Sequence, residues 1–355
     1  ATALRVYEKV KKHWAAETTR VRELLSELSY QPGAGMTAEQ AQRDARTSEL
    51  RRRLEVLDST DMAVVVSPGQ NEISQMQKRI RSFGMEIGVV EGYLPIDRIK
   101  LGTDDGTDLA SMKALLRHLS DLDIRMVCYN FMAGTDWIRT SVDTPERAGS
   151  KVTAFRLADL DKAMIPGRPP FRADLEPGAK RSDLWTNLQN FLEEIIPVAE
   201  DAGVVMAMHP DDPPLPQLLG NDRIMHDVSG FEKLVEIVKS PSNKIAFCQG
   251  SFSEMGIDIP AAIRRLGPHI AYVHYRDVVG TADDFRESWQ DNGQTDMAEA
   301  MRAYREVGFN GPMRPDHVPQ MIGEDDGEPG YTMLGRLFAF GYIRGMMHAT
   351  EGHTC

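Results

Sequence analysis

Short, nearly continuous apolar runs punctuate the chain. They are MAVVVS (62–67), EIGVVEG (86–92), RMVCYNF (125–131), VVMAMH (204–209), KIAFCQG (244–250), HIAYVHYR (269–276) and GPMRPDH (311–317). Strict alternation of apolar and polar residues is missing from them, as in parallel strands buried on both faces. LRVYEKV (4–10) is a weaker eighth candidate that could equally begin a helix. Between the runs lie amphipathic stretches at 48–57, 73–83, 109–122, 184–203, 231–240, 259–267 and 297–308, each with the spacing of a helix that buries one face. Gly203, Gly267 and Gly308 stand where three of these stretches end, as C-terminal caps would. Strand–helix repetition of this number predicts a (β/α)₈ barrel, with a doubly wound open sheet as the alternative.

Two stretches exceed a minimal barrel. Residues 12–46 read as a helical insertion near the front of the chain. Residues 135–182, rich in Pro, Gly, Arg and Asp, read as a long loop after a strand. Loops after strands form the catalytic face of such barrels. The expectation is a single barrel domain over residues 1–355, with the 12–46 insertion and long βα loops.

Composition narrows the partners. The chain is 41% hydrophobic and 26% charged, with a net charge of −12. That balance argues against a general binder of nucleic acid or of anionic membranes. No apolar run is long enough to span a bilayer, and the first residues lack the apolar core of a secretory signal. The three cysteines, Cys128, Cys248 and Cys355, cannot all pair within one chain, which suits a reducing, cytoplasmic compartment.

The chemistry gathers at strand ends. VVMAM runs into His209, IAF into Cys248, IAYV into His274, and GPMRP into Asp316, with His317 next. Each residue alone has an ordinary structural role, as core cysteine, turn residue or cap. Four metal-capable side chains at equivalent ends of successive strands form a coherent set. Imidazole, thiolate and carboxylate suit Zn²⁺, Fe²⁺ or Mn²⁺. Asn130, Asp136, Trp137, Arg139, Arg276, Asp277 and Arg314 follow or flank the same ends. An arginine there could clamp a carboxylate or close a salt bridge in the barrel rim. In AMHPDDPPLP (207–216), the prolines stiffen the loop after His209, and Asp211 and Asp212 could orient that histidine or touch substrate hydroxyls.

Several stretches together resemble the mannonate dehydratase family: VCYNFMAGTDWIRT, MHPDDPP, FCQGS, VHYRDV, GPMRPDH, IKLG, GQTDMAEAMRA and PGYTMLGRLFAFGYIRGM. The resemblance runs in family order from about residue 85 to residue 347 and implies a metal-dependent, xylose-isomerase-like TIM barrel. It implies that His209, Cys248, His274 and Asp316 bind Mn²⁺ or Fe²⁺, and that His317 and Tyr331 do acid/base work. The implied reaction removes water from D-mannonate to give 2-keto-3-deoxy-D-gluconate. Asn130, Arg276, Asp211 and Gln290 are substrate-contact candidates. Gln290 stands where the family usually has histidine; it can hydrogen-bond a hydroxyl but cannot transfer a proton. The front third matches the family poorly. A metal-dependent isomerase, epimerase or eliminase acting on a different sugar or sugar acid is therefore the second reading, and a barrel without catalysis the third. The implied partner is a small sugar acid, and a homo-oligomer is expected.

Overall fold

The computed structural model describes residues 70–92, 94–166, 178–325 and 327–350. The strands expected at 4–10 and 62–67, the helix at 48–57 and the insertion at 12–46 lie outside the described residues. The chain divides into two compact units, Ala1–Met85 and Glu86–Cys355. In the first, helix α1 (Gln70–Ser82) buries Ile73 and Gln77, one turn apart.

The second unit alternates strand and helix. In chain order it holds β1 (Val90–Glu91), α2 (Asp97–Lys100), α3 (Thr107–Asp121), β2 (Met126–Tyr129), β3 (Ser141–Pro145), β4 (Lys151–Arg156), α4 (Arg181–Ala202) and β5 (Val205–Met208). Then come β6 (Gln217–Leu218), β7 (Asn221–Asp222), α5 (Val228–Ile237), β8 (Asn243–Cys248), α6 (Gln249–Glu254), α7 (Ile259–Leu266) and β9 (Ile270–His274). The unit ends with β10 (Val278–Thr281), β11 (Asp284–Glu287), α8 (Met297–Glu306), β12 (Met313–Arg314) and α9 (Met333–Ala349).

One sheet takes its strands in chain order, β1-β2-β5-β8-β9-β12, and every pairing in it is parallel. This is the succession that βα units give when each helix returns the chain beside the previous strand. Cys128, Ala207, Ala246 and Tyr272 form one buried cluster. By strand alternation, the residues two places on from these alanines and from Tyr272 share their face, and they are His209, Cys248 and His274. Small residues therefore lie beneath the polar strand ends. The other face carries Met206, Ile245, Phe247 and Val273, all fully buried. Phe247 stacks on Phe252 of α6 with ring centres 4.1 Å apart.

The helices follow their apolar spacing. In α4, Leu184, Leu188, Phe191, Leu192, Ile195, Ile196 and Ala199 are all buried, at intervals of one, three and four residues. Gly203 and Gly308 take left-handed φ values of 62° and 71° after their helices, as caps do. Gly267 differs. Its φ is −45°, and it opens a short 3₁₀ turn. An added Cβ there would lie 2.6 Å from Val307, so the glycine is needed for space.

The stretch expected to be a long loop contains β3 and β4. They join β10 and β11 in an antiparallel sheet of order β10-β11-β4-β3. Its core is Ile138, Phe155, Leu218, Val278 and Phe285. Residues 167–177 of the same stretch lie outside the described residues.

Candidate metal centre and catalytic pocket

Four strand ends converge. Cys248 and His274 are the last residues of β8 and β9 and are direct partners in register. His209 follows β5, and Asp316 lies two residues past β12. One ligand atom from each of the four lies within 4.8 Å of all the others. Asp316 takes a left-handed φ of 57°, an uncommon conformation for a residue with a side chain. Strain of that kind gathers at functional sites.

A hydrogen bond orients the His209 imidazole, and a carboxylate lies close to that of His274. His209 Nδ1 is 2.7 Å from the Pro210 carbonyl, which can only accept, so this nitrogen carries the proton. His274 Nε2 is 3.3 Å from Glu91 Oε2. Burial works against the charge on Glu91, but His274 and Arg314 beside it hold its carboxyl at about 2. It too can only accept. The remaining nitrogens, His209 Nε2 and His274 Nδ1, face each other at 3.2 Å. Asp316 Oδ2 is 3.4 Å from His274 Nδ1. The Cys248 thiol is buried, which opposes ionisation, yet Arg276 and His209 draw it well below its ordinary range. Ser251 Oγ donates to its sulfur at 3.3 Å. Facing lone pairs, a thiolate and a carboxylate make a cluster that calls for positive charge. Protons can supply it, and both histidines are shifted upward: burial opposes, while Cys248 favours the charge on His209, and Glu91 and Asp316 favour it on His274. A divalent ion can supply it as well, and the donor set fits one.

His317 stands beside Asp316. Its Nδ1 is 2.9 Å from Glu287 Oε1, and its Nε2 is 2.9 Å from Tyr331 Oη. Arg139 Nη2 also lies 3.2 Å from Nδ1, but it already donates to Asp212 and Glu287. Glu287 can only accept, so Nδ1 carries the proton and Nε2 accepts from the tyrosine hydroxyl. Trp137 packs on the His317 ring at 4.3 Å and meets Tyr331 edge-on at 5.8 Å.

Of these groups, Glu91, Trp137, His209, Asp316, His317 and Tyr331 open onto a pocket of about 250 Å³. Its wall includes Glu91, Asn130, Asp136, Trp137, His209, Asp212, Arg314, Asp316, His317, Tyr331 and Arg336. The size suits a small polar ligand, since pockets for drug-sized molecules begin near ~300 Å³.

The expected substrate contacts divide. Asn130 lines the pocket, and its Oδ1 accepts from Lys100 Nζ and from the Met132 amide, each at 3.1 Å. Its amide nitrogen is thereby left for other partners. Arg276 is not in the wall. It is fully buried, with Nε 3.1 Å from Asp316 Oδ2 and its other nitrogens on Asp212, Glu254, Glu287 and Ser251. Asp211 is buried and accepts from the Met225 amide at 2.8 Å, and its neighbour Asp212 is the one in the wall. Gln290 is fully buried and also absent from the wall.

Glu91, Glu287 and Arg336 were not singled out in the sequence. Glu91 obeys the same rule as the other four, a polar residue closing an apolar strand. Glu287 lies on a strand of the second sheet, and Arg336 on a helix, where no strand-end rule applies.

Comparison with known proteins bears on the family and the fold. The profile of the D-mannonate dehydratase (UxuA) family matches residues 64–168 and 171–355. Mannonate dehydratase 2 of Halalkalibacterium halodurans is 32% identical, with 82% of this chain and 90% of that protein covered. The crystal structure of mannonate dehydratase from Streptococcus suis serotype 2 superposes with a TM-score of 0.72 at 29% identity, covering 79% of this chain and 83% of that one. A xylose isomerase-like TIM barrel protein from Mycobacterium smegmatis, 11% identical, reaches a TM-score of 0.51 over 80% of each chain and shares the fold. The fold is thus a xylose-isomerase-like TIM barrel, as the strand–helix pattern and the resemblance implied. From the family match and the extent of the identity, the chain belongs to the D-mannonate dehydratase family.

Proposed function

We propose that this protein is a metal-dependent hydro-lyase that converts D-mannonate to 2-keto-3-deoxy-D-gluconate and water. The observation that carries the reading is the His317–Tyr331 pair, at 2.9 Å, beside the four-residue cluster His209, Cys248, His274 and Asp316. Membership of the family supports the substrate. The cluster would hold a divalent ion, manganese or iron, whose positive charge stabilises the enolate that develops next to the substrate carboxylate. A reducing, cytoplasmic setting would keep Cys248 available as a thiolate; it is a free cysteine here.

The chain's own residues supply the proton traffic. His317 Nε2, unprotonated and facing the pocket, takes the C2 proton. Tyr331 Oη gives its proton to the C3 hydroxyl, which leaves as water as the C2–C3 double bond forms. The proton on His317 Nε2 then passes along their hydrogen bond to restore the tyrosine. The enol released by this elimination takes a proton at C3 to become the 2-keto product. Glu287, accepting from His317 Nδ1, holds the ring with Nε2 toward Tyr331. Asn130 presents its amide N–H groups to a substrate oxygen. Trp137, tilted by 32° against the His317 ring, covers one side of the pair.

The test is the product formed from D-mannonate in D₂O, read by NMR and mass spectrometry. The expected product has lost one water and carries one deuterium at C3. A product that keeps the mass of the substrate would place the protein among isomerases or epimerases instead.

A further inference from the structure

We propose that Arg336 binds the carboxylate of the substrate and so sets selectivity for sugar acids over neutral sugars. The inference rests on the reading above and names the cation that recognises its substrate.

The pocket wall is acidic. Glu91, Asp136, Asp212, Asp316 and Glu328 all line it, and an anionic ligand needs a compensating cation. Arg314 is committed, with Nη2 2.5 Å from Asp316 Oδ1 and 3.3 Å from Glu91 Oε2. Lys100 stands behind Asn130 and is held by it and by Asp97. The guanidinium of Arg336 has neither a carboxylate nor a hydrogen-bond partner among the described residues. Its contact is the face of the Tyr331 ring, 5.1 Å from the centroid. A guanidinium resting on an aromatic face keeps its fork of donors free at the edge, which matches the two oxygens of a carboxylate.

The position fits the reaction. The carbon that loses its proton is bonded directly to the carboxylate carbon. Whatever seats the carboxylate must therefore sit beside the proton acceptor. Arg336 packs on Tyr331, whose hydroxyl is 2.9 Å from His317 Nε2. The backbone there is firmly placed. Arg336 lies in the first turn of α9, its N–H 3.3 Å from the Thr332 carbonyl. Its neighbour Gly335 packs so closely on Val318 and the Pro319 carbonyl that a Cβ would collide with both. The helix is thus fixed against the segment that carries His317.

The experiment compares Arg336→Gln and Arg336→Lys with the parent, as manganese-loaded full chains of equal metal content and thermal stability. Binding of D-mannonate and of D-mannitol is read by stopped-flow fluorescence of Trp137, before turnover, and steady-state kinetics follow. Arg336→Gln is expected to weaken D-mannonate binding and raise KM about 30- to 100-fold, as loss of a charge-assisted pair would. D-mannitol binding should not change, kcat should fall far less than KM rises, and lysine should recover part of the loss. Unchanged D-mannonate affinity, equal loss for both ligands, or a parent with no preference for D-mannonate would overturn the proposal. A parent that prefers D-mannonate through Arg336 but does not dehydrate it would uphold this assignment and remove only the reaction.

Discussion

His317 is held from three sides. Glu287 takes its Nδ1 proton, Tyr331 meets its Nε2, and Trp137 covers its ring. In the proposed reaction, the first contact would select the tautomer, the second would supply the partner in proton transfer, and the third would shield one side from water. In that proposal His317 would contribute to rate without being needed for metal binding. His317→Asn should therefore keep the metal content of the parent while kcat falls about 10²- to 10⁴-fold, the usual worth of general acid–base catalysis. Metal analysis and kcat on the same preparation check this, and a variant that turns over normally would remove His317 from the proton path. Arg276 shows the other face of residue-scale reading. A basic residue after a strand end is compatible with a substrate clamp or with a buried tie. Its Nε on Asp316 and its remaining nitrogens on Asp212, Glu254 and Glu287 place it behind the pocket wall, fully buried. Type and position in the sequence cannot tell these apart, because the carboxylates that surround it arrive from four separate segments.

At the scale of elements, the register of the parallel sheet does most of the positioning. Cys248 and His274 are cross-strand partners, so their side chains emerge side by side. The chain then turns at once into α6, whose Gly250 lies against Arg276. A Cβ on Gly250 would overlap the Arg276 guanidinium. Gly250→Ala should therefore force Arg276 off its carboxylates and destabilise the fold by about 1–3 kcal/mol, the range for overpacking a filled core. Urea denaturation measures that loss, and full stability would mean that the buried arginine has room to move. The described parallel strands were legible because continuous apolar runs need no distant partner to be recognised. The helices were legible through their three-and-four spacing. β3 and β4 were not, since their short polar-flanked sequences, SVDTP and KVTAFR, become strands only when β11 comes alongside. Gly267 does follow α7 as its cap, but the need for glycine there was not legible for a related reason: the demand for space comes from Val307, far along the chain.

For the whole molecule, the parallel sheet of the barrel brings chemistry from separate strands to one place. The candidate ligands span residues 209 to 316, yet one atom from each lies within 4.8 Å of the rest. That convergence could be anticipated from the sequence, since each ligand closes an apolar run and a barrel gathers such ends. The rest of the site was less legible. Glu287, behind His317, and Arg336, in the pocket wall, come from the antiparallel sheet and from α9, and the barrel pattern does not say where those meet the strand ends. The central claim is that the four strand-end residues form one divalent-metal centre on which D-mannonate dehydration depends. The most direct test strips the protein with chelator and titrates it with Mn²⁺ while the initial rate on D-mannonate is followed. The account predicts negligible rate without metal, a linear rise, and a break near about one equivalent per chain, with Cys248→Ala weakening the metal affinity. A stripped protein that dehydrates D-mannonate at full rate, or a Cys248→Ala variant whose titration matches the parent's, would contradict it.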